Sequence, residues 1–490
     1  MLTLNIDTNK TIYLQVYQQL AELIRQGQLL TGDRLPSTRS LSKKAGISRN
    51  VVIMAFDQLE LEGLIEIKPG AGAYVKNTAA QGNKQKTKPV LEATSPSQTL
   101  VLSSFAKQSL VLEQEKSLQW GFGVIDVNVD FRYGVPYCGP DLKEHLRIAF
   151  KHATQSLHST YTSIHDYGDP RGDDRLREEI SRYLAKSRAF SCSAENIIVT
   201  NGSQQAFDLI ARALINKGDN VIIEDPRYLG FERVIKMYQG NISYVPVDHE
   251  GLDTAQLPQK KAHKLIYVTP SHHFPTGVVM SYARRQELLL YSQKQASYIV
   301  EDDYDSEYQF GSRPVVPLAS LNDERVIYVG SFSKLLSPGL RTGYMVLPSA
   351  LVKPIVLLKR YMDLGCNRMV QSAIAELLVS GKFGKHLRKT KAHLNINRKV
   401  LIKELNDKLI NPFEVLGTQA GMHLHAKFFN YDSKDFQALR QNANANGVRI
   451  YSANNFYSTM PREMNLLFGY GHLQPDEIKI GAKLLADCKL

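Results

Sequence analysis

RVIYVGSFSKLLSPGLRTGY (325–344) is a strand followed by a lysine turn. RVIYV is apolar and β-branched, as a buried strand requires. The chain then leaves the sheet through GSFSKLLSPGLR. A lysine that holds a carbonyl cofactor needs a fixed position at the mouth of a sheet and an anion site beside it. Lys334, with Ser331, Ser333 and Arg341, supplies that set. A lone lysine would read as a surface charge. The Ser-x-Ser-Lys pattern, with an arginine seven residues on, argues against that.

Similar strands lie upstream, separated by amphipathic stretches: NIIVT (196–200), NVIIED (220–225), KLIYVTP (264–270) and SYIVEDD (297–303). Strands alternating with helices predict a mostly parallel α/β sheet. Each strand ends in polar residues. EDDY (301–304) puts Asp302 where a carboxylate could meet a pyridine nitrogen, and Tyr304 near a ring oxygen. An ordinary acid cluster is the alternative. TNGSQQAFDLI (200–210) is a strand–turn–helix in which the N–H groups of Gly202, Ser203 and Gln204 could cradle phosphate. Tyr228, in EDPRY (224–228), could stack on a ring. TPSHHFPTG (269–277) ends a further strand, and Tyr167 lies in YGDPRGDDRLR, ahead of a helix.

The first 77 residues have a different pattern. Leu14, Tyr17, Leu20 and Ile24 recur at helical spacing, and Gly27 ends that helix. Ser37 caps a second helix through about Ala45. Ser48 caps a third, which carries Val52, Phe56 and Leu59 toward the core. LIEI, PGAG and AYV then read as a two-stranded wing. Ser48, Arg49 and Asn50 form the first turn of the third helix, where a recognition helix meets the major groove. Arg39 could grip the backbone, and Gly70 and Gly72 would let the wing approach closely. By itself, SRN could equally be a cap and a solvated charge.

Composition bounds the rest. The 490-residue chain carries formal charge +12, which fits an acidic partner such as nucleic acid or simply a basic protein. Residues 1–78 hold nine lysines and arginines against seven acids, only +2. Four scattered cysteines form no metal-type pair and fit a reducing cytoplasm. No signal peptide or apolar run long enough to span a membrane is read. Residues 79–100 are rich in Gln, Lys, Thr, Ser and Pro and predict a flexible linker, with 103–118 as a docking arm. The expected domains are 1–77, a linker and arm over 78–118, and a large domain over 119–490.

Residues 13–75 resemble the GntR-type winged helix-turn-helix family nearly end to end. The match includes G-x-L-x-x-G-x-x-LPS-x-R-x-L, the SR of the recognition helix and the L-x-x-x-G-x-I before a glycine wing. The resemblance implies binding of a double-stranded DNA operator through Arg39, Ser48, Arg49, Asn50 and the wing. From about Trp120 onward, the motifs in their order resemble fold-type I pyridoxal-phosphate (PLP) enzymes of the aminotransferase superfamily. That resemblance implies Lys334 as Schiff-base lysine, Asp302 as partner of the pyridine nitrogen, Tyr304 on the phenolic oxygen and Tyr228 stacked. It implies Gly202, Ser203, Gln204, Ser331, Ser333 and Arg341 on the phosphate. Tyr167 would reach the phosphate of a neighbouring subunit, in a head-to-tail homodimer.

The two halves together resemble the MocR/GabR regulators, and Phe274 before PTG, where aminotransferases usually have Asn, also looks like that family. Three departures stand out. Leu467 occupies the position of the usual substrate-carboxylate arginine, Gly230 that of a second arginine in the GabR type, and VPYCGPDLKEH (135–145) replaces P-D-x-x-L-F-P. The expectation is therefore a cytoplasmic, PLP-dependent transcription regulator with a small-molecule effector. That effector is PLP itself or a PLP-reactive ligand, as in vitamin B6-responsive members controlling PLP synthesis. An amino-acid sensor, a working aminotransferase carrying a DNA-binding domain and an inactive scaffold are the alternatives. Arg132, Arg227 and Arg462 are candidates for a displaced carboxylate site.

Overall fold

The computed structural model describes residues 4, 6–7, 11–76, 102–114, 127–156, 167–311, 316–322 and 324–488. The expected linker at 79–100, the end of the arm at 115–118 and the start near Trp120 lie outside them. The chain divides into two units, Met1–Val101 and Leu102–Leu490.

The first unit has helices α1 (Ile12–Arg25), α2 (Thr38–Ala45) and α3 (Arg49–Leu61), then strands β1 (Ile65–Lys68) and β2 (Gly72–Val75). Ser37 Oγ accepts from Ser40 N–H at 3.2 Å and Ser48 Oγ from Val51 N–H at 3.4 Å, so both serines cap as their positions suggest. Val16, Leu20, Ile24, Val52, Phe56 and Leu59 form the core. Leu14 is not among them: it is 40% exposed, and Val16 and Ala21 fill the face instead. The wing is an antiparallel pair in which Lys68 faces Gly72.

The second unit opens with α4 (Ser104–Gln114), β3 (Val129–Asp130), α5 (Pro140–Ser156) and α6 (Asp174–Arg188). Next come β4 (Ile197–Thr200), α7 (Ser203–Leu214), β5 (Asn220–Asp225), α8 (Leu229–Met237), β6 (Asn241–Asp248), β7 (Gly251–Leu252) and β8 (Leu265–Val268). Then follow α9 (Tyr282–Gln295), β9 (Tyr298–Asp303), β10 (Val326–Ser331), β11 (Gly343–Val346), α10 (Ser349–Asp363), α11 (Arg368–Val379) and α12 (Lys382–Lys408). The chain ends with β12 (Phe413–Leu416), β13 (His423–Asp432), α13 (Phe436–Ala445), β14 (Val448–Arg449), β15 (Tyr451–Ser452), β16 (Glu463–Gly469) and α14 (Pro475–Asp487). The expected arm therefore contains a helix of the second unit, whose Phe105 meets Tyr238 edge-on at 5.5 Å.

The main sheet has the order β4-β11-β10-β9-β8-β5-β6-β7. Neighbours from β10 through β9, β8 and β5 to β6 are parallel, while β11 is antiparallel to β10 and β4. Alternate residues of each strand fill two separate apolar layers. Ile222, Ile266, Ile299 and Tyr328 enter one; Val221, Ile223, Tyr267, Val300 and Ile327 enter the other. A strand buried on both faces is apolar at nearly every position, which is why these runs are continuous. The parallel strands all end on one edge, so Thr200, Asp225, Val268, Asp303 and Ser331 deliver their following loops to one place. A second, four-stranded sheet, β12-β13-β16-β15, belongs to the C-terminal part.

Candidate functional site

The edge at the strand C-termini gathers most of the expected residues. Lys334 follows β10, and its Nζ donates to the carbonyl oxygen of Gly134 at 2.6 Å. Burial pushes its pKa down, opposed by Asp305 and Asp302 and reinforced by Arg132 and Arg341. Lowered proton affinity makes a lysine a better nucleophile at neutral pH.

Of the three acids that end β9, Glu301 and Asp303 share one face and Asp302 takes the other, because successive side chains of a strand point to opposite faces. Glu301 accepts the N–H groups of Leu318 and Ala319, both at 2.9 Å. Asp303 turns into one apolar layer, paired with Arg188 at 2.8 Å and accepting from Tyr328 at 2.7 Å. Asp302 turns to the other face. Its Oδ2 accepts from Tyr267 at 2.6 Å, and its Oδ1 is buried with no hydrogen-bond partner. Burial lifts the Asp302 pKa to about 7, the Tyr267 hydrogen bond and Lys334 opposing.

Beside it, His272 Nδ1 lies 2.9 and 3.0 Å from the two Asp305 oxygens and 3.0 Å from the Tyr304 hydroxyl. A carboxylate only accepts, so the Nδ1 hydrogen goes to Asp305 and Tyr304 keeps its own proton to donate elsewhere. Tyr228 meets Phe274 edge-on at 5.9 Å and Phe207 at 6.2 Å.

The turn between β4 and α7 forms a separate corner. Gly202 has φ +81°, and a Cβ there would lie 3.3 Å from Arg341 Nη2. A side chain at 202 would be strained and would crowd the guanidinium. Arg341 Nη2 donates to Asn201 O at 3.3 Å. Ser333 N–H donates to Ser331 Oγ at 3.1 Å, and Gln204 Nε2 to Gly230 O at 3.1 Å. The cradle therefore combines a helix N-terminus with an arginine, the arrangement that favours an anion. Tyr167 is 76% exposed, beyond residues 157–166, which are not described.

Where the carboxylate arginines were missed, the structure has apolar packing. Leu467 is fully buried with Leu229, Ala453 and Phe456, and Tyr133, Phe274 and Tyr451 pack against them. Arg227 is tied to other groups, its Nε 2.8 Å from Glu232 and its Nη1 donating to Phe456 O at 2.9 Å. Arg462 is exposed just before β16. Of the three arginines considered, Arg132 is among the main charges acting on Lys334.

In the first unit, Arg39, Ser48, Arg49 and Asn50 are all exposed, and Arg49 Nε reaches Thr38 Oγ1 at 3.3 Å. Gly70 and Gly72 have φ +78° and +111°, and a Cβ on Gly72 would lie 3.1 Å from Arg34 Nε. The wing turn thus needs glycine for its own geometry.

Residues 137–460 match the family described as Aminotransferase class I and II. The chain belongs to that family. Residues 12–75 match the bacterial regulatory proteins of the gntR family, so the protein is a GntR-type DNA-binding regulator with an aminotransferase-like domain. The chain is 29% identical, over 99% of its length and 95% of the relative's, to the probable rhizopine catabolism regulatory protein MocR of Rhizobium meliloti. It is 25% identical, over 98% and 96%, to the HTH-type pyridoxine biosynthesis transcriptional regulator PdxR of Corynebacterium glutamicum. The multiple substrate aminotransferase of Thermococcus profundus superposes with TM-score 0.69 at 26% identity, covering 79% of this chain and 96% of that one. The pairing of the two domains is consistent with a MocR-type regulator. Its fold is a winged helix-turn-helix joined to a fold-type I aminotransferase fold, a family that is typically PLP-dependent.

Sequence reasoning missed Tyr267, Asp305, His272 and the Gly134 carbonyl. For Tyr267 a signal existed: a tyrosine one residue before a strand end can send its hydroxyl toward the loops.

Proposed function

We propose that this regulator binds PLP at the strand-end site and responds to it, or to a PLP-reactive ligand, by changing how it holds its operator. The observation that carries the reading is an asymmetry. Most of the residues expected to hold the coenzyme lie at the strand ends, with an unpartnered buried acceptor on Asp302, whereas the position expected to anchor a substrate carboxylate is Leu467 inside an apolar cluster.

When bound, PLP offers an aldehyde carbon reactive toward amines and an electron-withdrawing ring. Lys334 would hold the aldehyde carbon. Asp302 Oδ1 would accept the pyridine N–H, Tyr304 would donate to the phenolic oxygen, and Tyr228 would cover the ring. Gly202, Ser203, Gln204, Ser331, Ser333 and Arg341 would hold the phosphate. Tyr167 would complete the phosphate site of a second subunit, which makes the working form a homodimer. Arg39, Ser48, Arg49 and Asn50, with the wing at Gly70 and Gly72, would meet the DNA.

A carboxylate ligand without a cation partner forgoes charge-assisted hydrogen bonds worth about 1.5–3 kcal/mol each. This favours the coenzyme over an ordinary amino acid as effector, and likewise counts against steady transamination. Control of vitamin B6 synthesis in the cytoplasm is the output that fits, in keeping with the likeness to PdxR. One observation favours the second reading, an amino-acid sensor: the charge of Arg132 is felt at Lys334. Operator binding by cofactor-free protein, titrated with PLP and no amine, separates the two.

A further inference from the structure

The longest helix, α12, has an uneven charge pattern. From Lys382 to Lys403 it carries Lys382, Lys385, Arg388, Lys389, Lys391, Arg398, Lys399 and Lys403, and no acid until Glu404. Its buried positions, Phe383, His386, Thr390, Leu394, Asn397 and Leu401, mark one side. At about 100° per residue, Lys382, Lys385, Arg388, Lys389, Lys399 and Lys403 fall within about a third of the circumference on the opposite side. Arg398 is not part of this face: it packs on Phe310 and donates to Thr418 O.

Surface cations are ordinarily paired or interspersed with acids, and a charge run is usually only a solvated face. Among the described residues, the ion pairs of this helix's cations lie toward its two ends. Lys389 pairs with Asp141 of α5, and Glu144, next to it, is held by Arg147. Glu404 pairs with Lys408 at the far end, where Asp407 also lies. Lys385, Arg388, Lys391, Lys399 and Lys403 are exposed and form no ion pair with a described residue. The local field is positive enough that Lys382, Lys385 and Lys389 reinforce the burial that pushes the His145 pKa down, against Asp141.

The partner is argued from charge and length. The winged-helix segment, residues 1–78, carries only +2 of the chain's +12, although phosphate neutralisation supplies most of the sequence-independent affinity for DNA. From Lys385 to Lys403 the helix rises about 27 Å, the length of about eight base pairs. Twenty-five residues, 77–101, separate the last described residue of the first unit from the first of the second. Such a segment can reach at most about 85 Å.

We propose that the exposed face of α12 is a second DNA contact, which grips duplex phosphates without reading sequence while the winged helix reads the operator. The contact is electrostatic, so it acts on any duplex and weakens with salt.

The test uses full-length protein and a long mixed-sequence DNA duplex, with affinity measured by anisotropy across a salt series. One variant combines Lys385→Glu, Arg388→Glu, Lys399→Glu and Lys403→Glu. A control makes the same charge change elsewhere, with Lys217→Glu, Lys260→Glu, Lys261→Glu and Lys264→Glu, all exposed. Each lost phosphate contact lowers the slope of log affinity against log salt by about 0.9. The α12 variant should lose about two units or more of slope, and the control should keep the wild-type value. Circular dichroism checks that both variants are folded, and a set of Lys→Gln and Arg→Gln changes at the α12 positions should give an intermediate loss. An unchanged slope in the α12 variant overturns the proposal and leaves the face for an acidic protein. Equal losses in variant and control overturn it too, since net charge alone would then explain them. If the wild type bound no duplex at all, the DNA-binding assignment would fail instead.

Discussion

Tyr267 donates its phenolic hydrogen to Oδ2 of Asp302 at 2.6 Å, and Oδ1 of the same carboxylate stays buried without a partner. One oxygen is thereby fixed and the other is left to accept a hydrogen from whatever enters the site. A buried acceptor left unmatched is costly, so this arrangement is understandable where a ligand supplies the donor.

The same carboxylate sets a pH dependence. Its folded pKa is about 7, against an ordinary value of 3.8. Between about pH 4 and 7 the folded protein keeps a proton that the unfolded chain has released, so this group makes stability fall as pH rises through that window. Cofactor-free Asp302→Asn protein should show a shallower fall than wild type in denaturant titrations across the same window. PLP affinity of the wild type should rise as pH passes through about 7, when Asp302 ionises and can face a protonated ring nitrogen, and the Asn variant should lose that rise. Parallel pH profiles for both proteins would contradict the assignment.

Lys334→Ala should abolish covalent retention of PLP. Borohydride treatment of wild-type protein incubated with PLP should fix the coenzyme to the peptide containing Lys334, as read by mass spectrometry. The variant should show no such adduct and no visible absorbance band. An adduct on a different lysine would move the site.

Arg227 is a structural residue. It holds Glu232 and two hydrogen bonds to Phe456 O. Arg227→Ala should cost about 3 kcal/mol or less in denaturant unfolding, because Glu232 loses one charged partner and keeps Tyr244 and Lys236. The response to ligand should survive wherever the protein remains folded. Normal stability combined with lost amino-acid binding would instead make Arg227 the carboxylate anchor.

Much of this architecture is legible in the sequence, for identifiable reasons. The strands are read because a sheet covered on both faces needs apolar residues at every position, and NVIIED and RVIYVGS have them. The loop motifs are read because each directly follows a strand. What was not legible depends on register or on direction. Tyr267 reaches Asp302 only because β8 and β9 are parallel, with Tyr267 opposite Val300. Strand alternation separates Asp302 from Glu301 and Asp303, whose different partners come from other parts of the chain. Arg227 faces Glu232 five residues on, which spacing alone does not reveal. Leu14 fits the apolar period of α1 yet faces solvent, because Val16 and Ala21 complete the core.

At the other end of the chain, Arg49→Ala should lose about 1–3 kcal/mol of operator affinity if the side chain reads a base, unequally among operator variants. A phosphate contact would weaken all sequences alike. Unchanged binding throughout would take Arg49 out of the interface.

The most direct measurement is operator binding by cofactor-free protein titrated with PLP in the absence of any amine. PLP alone should change DNA affinity or the geometry of the complex, and Lys334→Ala should remove the response while leaving DNA binding itself intact. DNA binding that is indifferent to PLP, and shifted instead by an amino acid, would contradict the proposed function.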